Sequence, residues 1–151
     1  LAGTQDAAHT AAQQFRQVHA RLAQRYSKRT PVTVFYEIWN PPLMTVSGKQ
    51  IISDVLRLCG GVNVFAHLPG LAPTVDVEAV VQMNPEAIFM GDMRNRAAQP
   101  DNHWQRWTGL RAVRAGNLFS IPPDLMQRHT PRILQGAERV CADLEQARGR
   151  R

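Results

Sequence analysis

One uninterrupted run, Val32-Thr33-Val34-Phe35-Tyr36, constrains the fold more than any other feature of the chain. Every residue in it is β-branched or aromatic, the composition of a strand covered on both faces in a parallel α/β sheet. Asn40-Pro41-Pro42 follows, and proline, which lacks a ladder donor and fixes φ, must end the strand. Ile51, Ile52, Val55, Leu56 and Leu58 then recur at helical spacing, and Gly60-Gly61 predicts the helix stop, where positive φ is needed. A strand that opens at its C-terminal end into a loop before a helix is where open α/β sheets bind ligands.

Residues 7–26 precede this unit as an amphipathic helix. Ala8, Ala11, Phe15, Val18, Leu22 and Tyr26 advance by three or four and line one face, with Gln, Arg and His on the other. The restriction on pre-proline residues predicts its end before Thr30-Pro31. The stripe is narrow for an isolated helix of this length and implies a partner outside these residues. After Phe65 comes a loop rich in Pro and Gly at 66–73. Asp76 predicts the N-cap of a short helix through Ala79, Val80 and Met83, closed by Asn84-Pro85. Residues 86–90 read as a second buried strand leading into Gly91-Asp92-Met93-Arg94. A helix bearing Trp104 and Trp107, a third strand at 118–121 and a loop at 122–128 come next. Thr130 predicts the cap of the last helix, with Pro131 at its first position. Ile133, Leu134, Ala137, Val140, Cys141 and Leu144 give that helix its inner stripe, and the charged residues 147–151 read as a frayed tail. Repeated strand–helix units with continuous apolar strands predict a three-layer α/β/α sandwich on a mainly parallel sheet. Loops 38–47, 91–96 and 122–128 fall at strand C-terminal ends, so their convergence at one rim is the expectation that bears on function.

A chain of 151 residues with 44% apolar content suits one domain. No run approaches the ~18 apolar residues of a spanning helix. The formal charge is +6, but Arg16, Arg21, Arg25, Lys28, Arg29, Arg94, Arg96, Arg148, Arg150 and Arg151 are scattered. A nucleic-acid binder needs such charges on one face with stacking aromatics; a solvated basic surface with a bias toward anionic ligands fits better. Ser47-Gly48-Lys49 is not a phosphate loop, because Leu43 stands where glycine is required and Gln50 where Ser or Thr is required. No Gly-x-Ser-x-Gly elbow occurs. His9, His19, His67, His103 and His129 lack metal-site spacing and read as surface or loop histidines. Glu37, Asp92 and Asp124 can gather at the crevice, but no base or nucleophile accompanies them, so they read as binding or capping groups rather than catalysts. Cys59 ends the second helix and Cys141 lies on the last helix's inner stripe. They are either two buried thiols or, if they meet, a bridge closing about 80 residues and worth at most about 4–5 kcal/mol in an oxidising compartment.

Taken together the motifs are familiar. Asn40-Pro41-Pro42 ahead of Ser47-Gly48-Lys49, Leu58-Cys59-Gly60-Gly61-x-Asn63-x-Phe65, Pro73-x-Val75-x-x-Glu78 ahead of Asn84-Pro85-Glu86-Ala87-Ile88, and Asp124-x-x-x-Arg128-x-x-Pro131-Arg132 occur in order. This set resembles the C-terminal lobe of the periplasmic cobalamin-binding proteins and their ferric-siderophore- and haem-binding relatives. The resemblance covers residues 31–147. It implies the solute receptor of an ABC importer, not an enzyme: two α/β lobes joined by one rigid helix, periplasmic or membrane-anchored outside the cytoplasm. Residues 1–30 would be the end of the connecting helix and 31–151 the C-terminal ligand-binding lobe, with the N-terminal lobe lying outside these residues.

The resemblance also implies residue roles. Cys59 and Cys141 fall where the cobalamin receptor has a disulfide. Glu78 matches a lobe-surface glutamate that docks on the inner-membrane permease; taken alone it is an acid favoured by a helix start. Asp124, Leu125, Met126 and Arg128 match a ligand-contacting segment, although Arg128 can equally pair with Asp124 and order the loop. Trp39, with Asn40 and Met44 beside it, occupies a crevice position where the family places aromatics. A flat ring there offers contact area to a macrocycle or aryl chelator, or else anchors its loop. Ala72 stands where the cobalamin receptor has a ligand-stacking tryptophan, which leaves cobalamin and iron–siderophore or haem chelates both open as cargo. No resident cofactor, metal ligand or nucleic-acid partner is implied. The exposed stripe of helix 7–26 offers a surface for homodimerisation of such a fragment. Two further readings remain at this point: a small α/β enzyme fragment using the crevice carboxylates Asp92 or Asp124, and a basic interaction domain.

Overall fold

The structure, a computed structural model, describes residues 2–91, 103–126 and 132–151. Strands β1 (Val32–Glu37), β2 (Gly61–Asn63), β3 (Ala87–Met90) and β4 (Leu118–Ser120) form one sheet in the order β2-β1-β3-β4, and every pairing is parallel. Helices α1 (Ala2–Tyr26), α2 (Ile51–Leu58), α3 (Val77–Met83), α4 (Arg111–Ala115) and α5 (Arg132–Gly149) complete it, with 3₁₀ turns at His103–Arg106 and Pro123–Met126.

The apolar run at 32–36 is central because it must be covered twice. Val32, Val34 and Tyr36 face a core built with α1, α2 and α5, while Phe35 faces a second core built with α3, α4 and Trp104. β3 divides the same way, with Ala87 and Phe89 toward the first core and Ile88 and Met90 toward the second. All four residues of β3 are buried. The result is the expected three-layer sandwich.

Several local expectations hold. Asp76 caps α3, accepting from the Ala79 N–H at 2.8 Å, and Asn84 ends that helix in the left-handed conformation at φ 46°. Gly60, at φ +80°, provides the helix stop after α2 that the paired glycines predict. Others are corrected. Gly61 does not merely end a helix; it opens the edge strand β2, whose three residues are too few to show a period. Trp104 and Trp107 do not share a helix: a single 3₁₀ turn carries buried Trp104, and Trp107 beyond it is 38% exposed. The short α4 lies where no helix is predicted. The expected cap at Thr130 and Pro131 and the loop residues 92–96 lie outside the described residues.

The C-terminal tail is docked rather than frayed. Arg148 donates to the backbone carbonyls of Thr30 and Cys59, and Arg151 makes two hydrogen bonds to Glu86 at 2.9 and 2.8 Å. These arginines bind carbonyls and a carboxylate from distant segments, which charge patterning along the sequence does not reveal.

Cys59 and Cys141 form a disulfide that ties α2 to α5 across 82 positions, both sulfurs fully buried. α5 also presses on the turn after β4. Gly136 allows this, since a Cβ there would stand 2.5 Å from the Leu125 carbonyl oxygen and 2.7 Å from Met126 Sδ. Two outcomes follow from this packing. Replacing both cysteines by serine is expected to lower unfolding free energy by about 2–4.5 kcal/mol in denaturant titrations, the range set by closing a loop of this length. Gly136→Ala should cost about 1–3 kcal/mol through overpacking against a backbone oxygen, and the changed chemical shifts should concentrate at Leu125 and Met126 rather than in the sheet.

Candidate functional site

β1 delivers its last residue, Glu37, to the C-terminal edge of the sheet, and the chain there turns through Asn40-Pro41-Pro42, whose two X–Pro bonds are cis. The segment returns as a narrow ribbon. Trp39 and Met44 pair antiparallel, Met44 pairs in turn with Thr74, and Thr45 and Ser47 donate their N–H groups to the carbonyls of Pro73 and Leu71 at 3.0 and 3.1 Å. Two loops far apart in sequence, 38–47 and 71–75, therefore form one rim. Trp39, Asn40 and Met44 are all partly exposed on it.

A buried polar network fixes that rim from beneath. Asn63, at the end of β2, donates Nδ2 to the Val46 carbonyl and to Ser53 Oγ, each at 2.8 Å, and accepts from the Phe65 N–H at 2.9 Å. Ser53 Oγ donates to the Ser47 carbonyl at 2.7 Å, and Thr45 Oγ1 to the Tyr36 carbonyl at 2.7 Å. These donors end on the Val46 and Ser47 carbonyls of the rim loop and on the Tyr36 carbonyl of β1, so the loop has few alternative arrangements. Tyr36 itself is shut in the core, and burial holds its phenol well above its ordinary pKa.

The loop after β4 places the second group. Leu125 and Met126 are buried in the core at 7% and 5% exposure, so their side chains face α5. Asp124 remains half-exposed and forms an ion pair with Arg132 at the start of α5. Its partner among the described residues is thus Arg132, while Arg128 lies outside them, as do Asp92 and the rest of the expected loop at 92–96. Glu78 sits exposed in the first turn of α3.

The sequence reading missed one constellation here. Glu37 is completely buried, and its Oε1 lies 2.6 Å from Nε2 of His103 and 3.3 Å from the indole N–H of Trp104. The Asn40 amide lies 3.4 Å from the same imidazole nitrogen. Glu37 therefore does not gather with Asp124 at a crevice; it faces the 3₁₀ turn at His103–Arg106 and supports the rim from below. A glutamate closing an apolar strand, with a His-Trp pair 66 residues on, was the available signal, but nothing local joins the two.

Among the described residues no group of three His, Cys, Asp or Glu side chains is placed to hold a metal ion, and no helix is long and apolar enough to cross a membrane. The rim can offer a flat aromatic ring, a thioether, an amide and an imidazole to a bound molecule.

Comparison with known proteins gives a consistent family. The family model described as "Periplasmic binding protein" matches residues 1–125. The vitamin B12-binding protein of Vibrio parahaemolyticus is 34% identical over 142 residues, covering 93% of this chain and 50% of the relative, and that of Photorhabdus laumondii is 34% identical over 137 residues. The chain spans about half the length of the curated relatives it matches. The crystal structure of the periplasmic vitamin B12 binding protein of Vibrio cholerae superposes with a TM-score of 0.81 at 32% identity, over 93% of this chain and 54% of that one. An ABC-type Fe3+-hydroxamate transport protein from Saccharomonospora viridis shares the fold alone, with a TM-score of 0.76 at 17% identity over 93% of this chain and 50% of its own. A fully parallel sheet whose C-terminal edge carries a preformed rim, matched along most of its length by this model, places the chain in the periplasmic binding protein family.

Proposed function

We propose that this chain is the C-terminal lobe of a periplasmic receptor that captures a metal chelate, of cobalamin or iron–siderophore or haem type, and presents it to an ABC importer. Residues 31–151 form the lobe and residues 1–30 the end of a helix connecting it to a second lobe. The carrying observation is the joined rim of loops 38–47 and 71–75, presenting Trp39, Asn40 and Met44 together at the edge where parallel sheets bind ligands. The curated relatives are named for vitamin B12, which supports a chelate of the cobalamin type, and the motif resemblance extends the reading to iron–siderophore and haem cargo.

The physics of the rim agrees with a bulky, flat or anionic cargo. The dipole of α2, which follows the rim loop, favours negative charge at its N-terminus, whereas that of α3 is already met by the Asp76 carboxylate. Trp39 supplies contact area, while the exposed Ala72 offers no ring of the kind that the resemblance leads one to expect of a cobalamin receptor. Asp124, tied to Arg132, presents a fixed polar edge on the neighbouring loop.

The connecting-helix reading is supported by α1 itself. Among the described side chains of α1, Leu22 and Tyr26 are packed at 5% and 8% exposure with Val18 partly covered, whereas Phe15 is 42% exposed. We place the remainder of the connecting helix's own lobe against that apolar surface; in an isolated fragment a second copy can occupy it. Glu78, exposed on a surface helix away from the core, is the residue we assign to docking on the permease.

Two experiments test this reading. Equilibrium titration of the full-length gene product with cobalamin, haem and ferric siderophores should find one tight ligand, and the 151-residue lobe alone should bind it much more weakly, because it holds half the contacts. Affinity for none of these classes ends the proposal. Glu78→Lys should leave chelate affinity unchanged and reduce uptake in a transport assay, since the exposed side chain belongs to α3 and not to the rim loops 38–47 and 71–75.

A further inference from the structure

A pocket of about 200 Å³ opens at the edge of the sheet opposite the rim, where β3 and β4 begin and α4 and α5 end, and its lining includes Glu86, Arg111, Ala115, Asn117, Arg150 and Arg151. Structural contacts pin all three guanidiniums. Arg111 donates Nε and Nη2 to the Asn84 carbonyl, both at 3.1 Å, and Arg150 donates Nη1 to the Gly116 carbonyl and to Asn117 Oδ1 at 2.7 and 3.0 Å. Arg151 directs Nε and Nη2 to the Glu86 carboxylate. Asn117, 3% exposed, also donates Nδ2 to the Glu86 carbonyl at 3.1 Å and so joins the acid's segment to Arg150.

These contacts fix the guanidiniums without exhausting them. A guanidinium carries five N–H donors. Nη1 of Arg111, Nη2 of Arg150 and Nη1 of Arg151 form no hydrogen bond to any described residue. Three arginines against one glutamate leave the lining at +2. We propose that the pocket is a second binding site, for the phosphate group of a soluble ester or of a lipid headgroup. A phosphate monoester at pH 7 carries about −1.5 to −2 and offers three strong acceptor oxygens, enough for several guanidinium forks at once. A carboxylate offers two oxygens and a single charge. The site is separate from the cargo rim and does not depend on the receptor reading.

Arginines already held in place lose little further rotamer freedom on binding. Asp143, which Arg139 and Arg150 share, and the negative partial charge at the C-termini of α3 and α4 offset part of the attraction. Salt screens this exposed edge as well. The affinity expected is millimolar, selective for a phosphate over chloride, and confined to one pocket.

NMR titration of the full-length gene product with inorganic phosphate, at an ionic strength held constant with chloride, tests this. Saturable shifts are expected at the backbone amides of Ala115, Gly116, Asn117 and Arg151, with Trp39 and Met44 on the rim unmoved. Arg150→Gln should weaken binding by about fivefold or more. That change also removes a helix cap, so Ala115→Glu is the second variant. It keeps all three arginines, sets a carboxylate at an exposed position of the lining, and should abolish saturation. Vesicles of phosphatidic acid in phosphatidylcholine separate the two sources. Sedimentation with them that inorganic phosphate reverses and Ala115→Glu abolishes assigns the site to a lipid headgroup; saturable phosphate binding without sedimentation assigns it to a soluble ester. Unsaturable shifts, the same affinity in Ala115→Glu, or shifts confined to the rim overturn the site and leave the receptor reading standing.

Discussion

The double burial of β1 is the constraint on which the rest depends. A strand with apolar side chains on both faces has to be enclosed by helices on both sides, and its neighbours β2 and β3 must then run parallel to it. Parallel neighbours need crossover helices, and every crossover returns the chain to the same edge. All strand C-termini then share one rim, and the helices that follow them begin there. The binding edge is a consequence of the topology before any particular side chain is chosen. Phe35 and Tyr36 illustrate the demand: adjacent in sequence, both buried, they stack on different partners in different cores, Phe35 edge-on to Phe65 and Trp104 and Tyr36 flat on Phe89.

The same topology disposes of the positive charge. Helix C-termini collect at the opposite edge, where unpaired carbonyls carry negative partial charge. Arg111 donates to the Asn84 carbonyl at the end of α3, Arg150 to the Gly116 carbonyl at the end of α4, and Arg148 to the carbonyl of Cys59 at the end of α2. Arg29 and Arg148 share Glu145, and the hydrogen bond from Arg29, ahead of the cost of burial, holds that carboxyl below its usual pKa. These arginines cap and pair; they do not form a stripe for a polyanion. The arginines of that edge are committed to structural contacts, so the basic balance of the chain carries little information about partners.

What the sequence made legible was whatever local chemistry decides. The β1 run, the glycine stop at Gly60, the Asp76 cap and the α5 stripe each follow from residues within a turn or two of each other. The rim loop at 38–47 was legible for the same reason, through its prolines. What escaped depends on contacts between distant segments. β2 is recognisable only as a partner of β1, α4 only by the burial of Ala112 in the second core, and the tail only by the groups that its arginines meet. Leu125 and Met126 fall in the loop after β4, but a sequence cannot say which way a side chain turns, and both are buried in the core against α5.

The network beneath the rim bears on how such a lobe works. Asn63 satisfies three hydrogen-bonding positions at once, and each leads to a backbone group on the rim or on its flanking turn. Asp in its place would lose the two donors, and Leu would leave the Val46 carbonyl buried without a partner, at a cost of about 1–3 kcal/mol. A rim held this way does not have to fold around its ligand. The ordering cost is met when the lobe folds, so contacts made later add to affinity with little lost to loop entropy. Half a cleft built on these terms is rigid but open on one side, and its remaining selectivity has to come from directional contacts rather than enclosure. On this rim, the partly exposed Trp39 ring, Asn40 amide and Met44 thioether are the groups held in place to supply such contacts.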